Sequence, residues 1–363
     1  MTAQGHSQGP GTPRDAAAPT FDAPARQALA AYLVHQGLAA HSADVTLRRL
    51  AGGQSNPTYI AATPQRQYVL RKQPPGKLLP SAHAIDREYR VMKALEHSAT
   101  PVPRMLAYCA DDSLLGTPFF VMEHVAGRTF VDPVLPALDA AERGAIYAEA
   151  CRVLAGLHQL DYRALGLEDY GRPGNYYARQ ISRWTRQYRE SRPQAGIAAM
   201  EALIDWLPGH IPDGDETCLV HGDFRLDNMI FHPTEPRVLA LLDWELSTLG
   251  HPLADLAYYC MCWRVTPALW RGVAGCDLAA LGIPAESTVV AAYCEARGLA
   301  GLEHWGFYLA YSFFRMAAIL QSVASRGTAG NAADPGAASM GAKVAPLAEL
   351  GWECARSAGL PAA

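Results

Sequence analysis

The apolar positions change period along the chain. Strand-like runs dominate to about residue 125, and helical spacing dominates afterwards. Residues 24–38 read as a short helix ending near Gly37. DVTLRRL, PTYIAAT and QYVLRK follow as β-type runs, parted by GGQSN and by a turn at Pro64 to Arg66. Three such runs predict an antiparallel meander. After a PPG break, SAHAIDREYRVMKALEHS places Ile85, Tyr89, Met92 and Leu95 at helical intervals. RMLAYCA and PFFVMEHV, separated by a DDSLLG turn, predict another strand pair. The first 125 residues therefore read as a small sheet with one long helix inserted after its third strand.

Beyond AGR (126–128) the pattern turns helical: AAERGAIYAEACRVLAGLHQL, NYYARQISRWTRQYRES, ADLAYYCMCW, STVVAAYCEARG and HWGFYLAYSFFRMAAILQSVASR. A β-rich island interrupts it at about 217–244. Residues 327–341 read as a small-residue loop and 344–357 as a final helix. The expected fold class is α+β, with two lobes. Residues 1–20 are expected to form a disordered tail, 21–125 an N-terminal lobe built on a small antiparallel sheet, and 126–358 a mostly helical C-terminal lobe. The crevice where two lobes meet is the expected ligand site.

The chain has 363 residues, half of them hydrophobic, and a formal net charge of −4. Such a balance gives no global attraction to nucleic acid or to an anionic membrane. The sequence shows no unbroken run of 18 apolar residues, so no membrane span is expected. The N-terminal stretch lacks the apolar core of an export signal. The eight cysteines form no C-x-x-C pair, so reduced core thiols and a cytoplasmic location are expected.

The stretch HGDFRLDN carries the chemistry. It sits between a strand-like TCLV and a hairpin-like NMIFH-PTEP-VLALLDW. Pairing His232 with Arg237 would place Asn228 opposite Leu241, with Asp243 two positions further on. Asp223, Asn228 and Asp243 would then converge at one end of the hairpin. Two carboxylates and an amide are oxygen donors suited to Mg²⁺. The spacing H-x-D-x-x-x-x-N, followed by a second Asp after a hairpin, matches what phosphoryl transfer needs. One loop supplies both a carboxylate for the attacking hydroxyl and a metal ligand. A loop capped by its own Asx contacts is the competing account.

Features elsewhere point the same way. Gly52, Gly53, Gln54, Ser55 and Asn56 lie between two predicted strands, where glycines let backbone N–H groups approach phosphates. Arg71 in YVLRK falls where a kinase strand carries its phosphate-binding lysine, and Glu88 in DREYRV could hold it in an ion pair. Each alone is an ordinary turn, strand-end charge or helix residue; their order along the chain makes the set specific.

On VLRKQPPGKLLPSAHAIDREYRVMKAL, HGDFRLDNMIF and LLDWELSTLGHPLADLAYY, the chain resembles the aminoglycoside phosphotransferase/choline kinase-like group over about residues 24–325. More closely it is similar to the kinase-like domains fused to acyl-CoA dehydrogenases. The resemblance implies a protein-kinase-like bilobal fold and use of ATP and Mg²⁺. It implies Asp223 as catalytic base, Asn228 and Asp243 as metal ligands, and Asp255 as a brace for the loop. It sets adenine against the connector, with Met122 behind it and the backbone of Glu123 and Val125 as partners. Two departures stand out: an arginine replaces the strand lysine, and the phosphate loop lacks G-x-G-x-x-G. No flavin signature is present.

The acceptor is less legible. GRPGNYYARQISRWTRQYRESR carries six arginines and one acid, Glu190, which would repel a polycationic aminoglycoside. Tyr177, Ile181, Trp184 and Tyr188 form its apolar face. Arg179, Arg183 and Arg186 form a neighbouring stripe, either a solvated helix face or a surface for an anionic small-molecule substrate. The resemblance favours a hydroxyacyl-CoA or a related hydroxy acid. Arg315 could line the cleft, but a place on a helix surface or in an ion pair is the stronger expectation; His251 and Trp244 read equally as site or core residues. The alternative to a kinase is a nucleotide-binding pseudokinase acting as an interaction module. Protein kinase activity is disfavoured, because A-P-E is absent and the Asp243–Asp255 interval is short.

Overall fold

A computed structural model describes residues 21–50, 56–74, 84–193, 195–328 and 337–358. The chain folds as two compact units.

The first unit holds α1 (Ala23–His35), β1 (Thr46–Arg49), β2 (Thr58–Ala62), β3 (Gln67–Lys72), the start of α2 (Ile85–Leu95), β4 (Met105–Cys109), α3 (Asp112–Leu115) and β5 (Phe119–Glu123). Its strands form one antiparallel sheet in the order β1-β2-β3-β5-β4. Asp22 starts α1 by accepting from the Ala25 N–H at 2.8 Å, with a proline in the first turn. Leu29 and Leu33 of α1 pack on Tyr59, Ala61, Tyr68, Leu70, Phe119 and Val121 of the sheet. The alternating apolar residues of three strands thus find one helix to cover them. The expected DDSLLG turn is instead the one-turn helix α3. Asp111 accepts from the Ser113 N–H at 2.9 Å, and Gly116 closes the turn at φ +78°.

The expected division at residue 125 is modified at one place. The segment Arg90–Pro103 belongs to the second unit, so α2 runs out of the first unit at Tyr89. The Leu241 N–H donates to the Pro101 carbonyl at 2.8 Å, and Arg90 donates to Asp169 at 3.1 Å. These bonds tie the segment to the helical part of the chain.

The second unit continues from Val125 with α4 (Ala140–His158), α5 (Tyr176–Ser191), α6 (Ala198–Trp206), β6 (Cys218–Val220), β7 (Met229–Phe231), β8 (Val238–Leu241) and β9 (Thr248–Gly250). It ends with α7 (Leu253–Cys260), α8 (Leu278–Leu281), α9 (Glu286–Arg297), α10 (Trp305–Thr328) and α11 (Val344–Ser357). Helix α10 is apolar on nearly every side and is accordingly the core helix, wrapped by α5, α7 and α11. Trp305–Gly327 is long and apolar enough to cross a membrane, but 89% of that window is buried inside the protein. The face of α5 that packs inward is Tyr177, Ile181, Trp184 and Tyr188, with Tyr176. All eight cysteines are free thiols, most of them buried.

Candidate active site

Strands β6 and β9 pair antiparallel, and the chain leaves β6 directly into HGDFRLDN. That loop is held from two sides. From α7, the buried carboxylate of Asp255 accepts the His221 N–H at 2.6 Å and the Gly222 N–H at 2.8 Å. From α10, Arg315 donates to the Gly222 carbonyl at 2.5 Å, with its guanidinium 5.2 Å from the Tyr258 ring centre. Arg315 is therefore a buried loop anchor, correcting its expected place on a helix surface or in an ion pair. Gly222 lies at φ +83°, and a Cβ there would meet the Leu246 carbonyl oxygen at 2.5 Å, so glycine is required. His221 Nδ1 accepts the Asp223 N–H at 3.2 Å, leaving Nε2 to donate to the Leu242 carbonyl at 2.9 Å. Those roles fix the neutral Nε2–H tautomer.

Asp255 is itself oriented by a buried chain of polar groups. His158 Nε2 lies 3.3 Å from its Oδ2, and His158 Nδ1 lies 2.7 Å from the Tyr293 hydroxyl. Arg297 donates to that hydroxyl at 2.8 Å. Burial lowers the His158 pKa, so the imidazole is neutral. Burial alone would raise Asp255. The hydrogen bonds from His158 and from the Gly222 N–H outweigh it and hold the carboxyl below its ordinary range.

Asp223 occupies the mouth of the loop. Tyr258 donates to its Oδ1 at 2.6 Å, and Asn228 Nδ2 donates to its Oδ2 at 3.0 Å and to its carbonyl at 2.8 Å. Arg225 adds a charge-assisted bond to Oδ2 at 3.1 Å. Burial pushes the Asp223 pKa up. Arg225, the Tyr258 hydrogen bond and Arg315 more than reverse this, so the carboxylate stays ionised.

The hairpin forms, with a register one residue away from that expected. Met229, not Asn228, faces Leu241, because a bulge falls between Ile230 and Phe231. Past the bulge the expected bond from His232 N–H to the Arg237 carbonyl is made, at 2.8 Å. At the other end the Leu242 N–H donates to the Asn228 carbonyl at 2.8 Å. The slip brings Asp243 one position closer to Asn228 along the ladder. Asp243 adopts the left-handed region at φ +66°, where Asp is tolerated better than most residues. Arg128 anchors the hairpin turn through the His232 and Glu235 carbonyls, at 2.9 and 3.0 Å.

Among the described residues no group of three or more His, Cys, Asp or Glu could hold a metal ion alone. Asn228 spends its Nδ2 on Asp223, which leaves Oδ1 as the available pole of the amide. Its oxygen and the Asp243 carboxylate are hard donors that could share a Mg²⁺ with water and phosphate oxygens, as that ion prefers.

In the first unit, Arg71 Nε on β3 lies 3.1 Å from Glu88 Oε2 on α2, both largely buried. Asn56, two residues before β2, is buried, with no partner for its amide among the described residues. Gly52, Gly53, Gln54 and Ser55 lie outside the described residues. Met122 is buried in β5 opposite Val69. The Glu123 N–H is committed to the Arg104 carbonyl at 2.9 Å, so only its carbonyl could meet a ligand. Val125 follows in the irregular connector.

The basic stripe on α5 is not uniform. Arg179 turns back onto the Gly174 and Arg172 carbonyls, so it caps its own loop. Arg183 lies over the Trp184 ring at 4.9 Å. Arg186 lines an open groove between α5 and α6. His251, half-buried, packs between Tyr177 and Tyr308, and Trp244 is fully buried in the core beside His221.

Sequence reasoning missed Tyr258 and Arg225 as partners of Asp223. A signal existed for Tyr258: it lies three residues beyond Asp255 in DLAYY, on the same helix face. Strand β9 was missed because three residues ending in glycine show no alternation.

A family model described as the phosphotransferase enzyme family matches residues 46–308. Acyl-CoA dehydrogenase family member 10 of Mus musculus is 48% identical over 309 residues, 85% of this chain and 29% of that protein. Acyl-CoA dehydrogenase family member 11 of Homo sapiens is 46% identical over 323 residues, 88% of this chain and 41% of that protein. The chain thus spans less than half the length of these curated relatives. A solved protein of Ralstonia eutropha, designated a candidate aminoglycoside phosphotransferase, is 49% identical with a TM-score of 0.82, covering 91% of this chain and 98% of its own. Aminoglycoside phosphotransferase APH(4)-Ia, solved with ADP and hygromycin B, reaches a TM-score of 0.58 at 17% identity, over 91% of this chain and 98% of its own. At that identity the likeness shows the fold alone.

Proposed function

Because the chain belongs to the phosphotransferase enzyme family, we propose that it transfers the terminal phosphoryl group of ATP to a hydroxyl of a small molecule, with Mg²⁺. The observation that carries this reading is the Asp223 carboxylate, ionised and gripped by Tyr258 and Asn228 on the loop that leads to Asp243. In this reading Asp223 orients the acceptor hydroxyl and takes its proton as the new P–O bond forms. A low-lying carboxylate suits that task, since a loose phosphoryl transition state asks for positioning before proton removal. Asn228 and Asp243 would hold the metal. Bound there, Mg²⁺ would neutralise phosphate charge. Arg71, fixed by Glu88, would meet a phosphate, and the connector at Glu123 and Val125 the adenine.

For the acceptor we favour a hydroxyacyl-CoA or a related hydroxy acid. Support comes from the 45–48% identity to proteins named acyl-CoA dehydrogenase family members, whose names point to acyl-CoA chemistry in the same polypeptide. Arg183 and Arg186 suit an anionic acceptor.

The test is direct. The full chain is incubated with Mg-ATP and a panel of hydroxyacyl-CoA thioesters, free hydroxy acids, choline and aminoglycosides, and phosphorylated product is measured. The expected result is product from the hydroxyacyl compounds. Turnover of a different alcohol alone would remove the acceptor assignment. ATP binding without any product would favour the pseudokinase alternative.

A further inference from the structure

The second unit contains a cavity of about 70 Å³ that the proposed chemistry leaves unused. Its walls include Phe130, Val131, Tyr258, Trp270, Met316 and Leu347. Two of its lining residues are partners of Asp223: Tyr258, which donates to Oδ1 at 2.6 Å, and Arg225, which donates to Oδ2 at 3.1 Å. The cavity therefore opens within one side chain of the carboxylate. Val131, in its wall, is 58% exposed, an uncovered apolar side chain.

We propose that this cavity seats a short aliphatic segment of the acceptor beside the hydroxyl that Asp223 orients. The inference rests on the phosphotransferase reading for its word "acceptor", but the site itself does not. Carbon surface lines the space, so a polyhydroxylated or polycationic group entering it would lose its water without gaining partners, and a hydrocarbon would not. The capacity is on the order of five water-sized groups, which fits a few methylenes and not a long fatty chain. The polar residues around it set the sign of what accompanies that segment. Asp227 is shared by two cations, with Arg225 Nε 3.5 Å from its carboxylate and Arg271 in contact with it. Lys343 places its ammonium 5.2 Å from the centre of the Trp270 ring. No ion pair to Lys343 is found among the described residues, so an acidic group on the same acceptor is the complementary charge. The ligand class is an aliphatic alcohol bearing an anionic group.

Straight-chain carboxylates of four to ten carbons, which carry no hydroxyl, are the probes. Their dissociation constants are measured calorimetrically on the full chain, and they are then used as competitors of phosphorylation of whichever alcohol the protein turns over. Affinity is expected to rise about fourfold per methylene until the cavity fills, then level off. Met316→Ala deepens the cavity and should move the levelling point to longer chains. Val131→Glu, at a position 58% exposed, should weaken every carboxylate. Affinity independent of chain length, or identical in both variants, overturns the proposal. So does full turnover of an acceptor under saturating carboxylate. Graded binding that follows both variants, with no phosphorylated product from any alcohol, upholds the cavity as a ligand site and overturns the phosphotransferase reading instead.

Discussion

Asp255 and Tyr258 stand one helical turn apart on α7 and grip two parts of the same loop. Asp255 accepts the N–H groups of His221 and Gly222, and Tyr258 donates to the side chain of Asp223. One rigid turn of helix thus sets both the path of the backbone and the direction of the carboxylate.

Removing the Tyr258 hydroxyl should change the protonation of Asp223 more than the fold. Tyr258→Phe deletes a hydrogen bond that favours the ionised carboxylate. The Asp223 pKa then rises, and the acidic limb of the rate profile moves to higher pH. A charge-assisted bond of this kind is worth about 2 kcal/mol, so kcat is expected to fall by up to roughly thirtyfold at neutral pH. The pH dependence of ADP release checks this. An unchanged acidic limb would separate that limb from Asp223.

Asp223→Asn and Asp243→Asn should fail in different ways. The first is expected to lower kcat by about 10²–10⁴-fold, with nucleotide affinity retained, as read by calorimetry. The second should raise the Mg²⁺ concentration needed for half-maximal turnover at least about tenfold. Chelation by EDTA should abolish turnover in the unsubstituted protein and excess Mg²⁺ restore it. Equal Mg²⁺ requirements in both variants would detach Asp243 from the metal.

Asp255→Asn keeps the shape of the side chain and loses its charge and one acceptor. A buried N–H of His221 or Gly222 is then unsatisfied, at about 2–3 kcal/mol. Urea unfolding should show that loss. Turnover should fall with it, because the loop carrying Asp223 relaxes. Stability equal to that of the parent would mean that the loop is held by Arg315 alone.

His251 should make stability depend on acidity. Burial pushes its pKa down to about 4, below the ordinary value of about 6.5. A histidine depressed in the folded state takes up protons more readily once unfolded. Its contribution is complete above the ordinary value and disappears as the pH falls toward the folded one. His158, also depressed, adds to the same slope. His251→Asn retains an acceptor for the Leu253 N–H, which His251 Nδ1 accepts at 3.2 Å. Between about pH 7 and pH 4.5, the window set by those two values, the parent should lose more thermal stability than this variant. Parallel losses would show that His251 does not titrate across the range.

Periodicity was enough to expose most of the fold. The runs that became β1 to β5 were legible as short apolar segments between turn residues, and every second residue of β2, β3 and β5 meets α1. The helices α4, α5 and α11 show their buried faces at intervals of three and four, and α10, buried all round, shows as a long apolar run. The short elements stayed hidden, since α3, α8 and β9 are too brief for a period and are fixed by caps and pairing partners. HGDFRLDN and Asp243 were legible because loop chemistry at fixed spacing survives in one dimension. The partners that set the electrostatics of Asp223 were not. Tyr258 and Arg315 lie 35 and 93 residues from the loop positions they touch.

By itself the sequence determined which side chains could do chemistry and in what order they lie. It also separated a sheet-forming segment from a helical one, because local periodicity reports which faces must leave water. Only the tertiary structure decided the register at Asn228, where a single bulge moved the ladder by one residue. It also decided the fate of the arginines: Arg315 was buried to hold a carbonyl, and Arg179 was folded back on its own loop. Hydrogen-bond satisfaction in a packed interior settles such matters, and it depends on groups that no local pattern brings together.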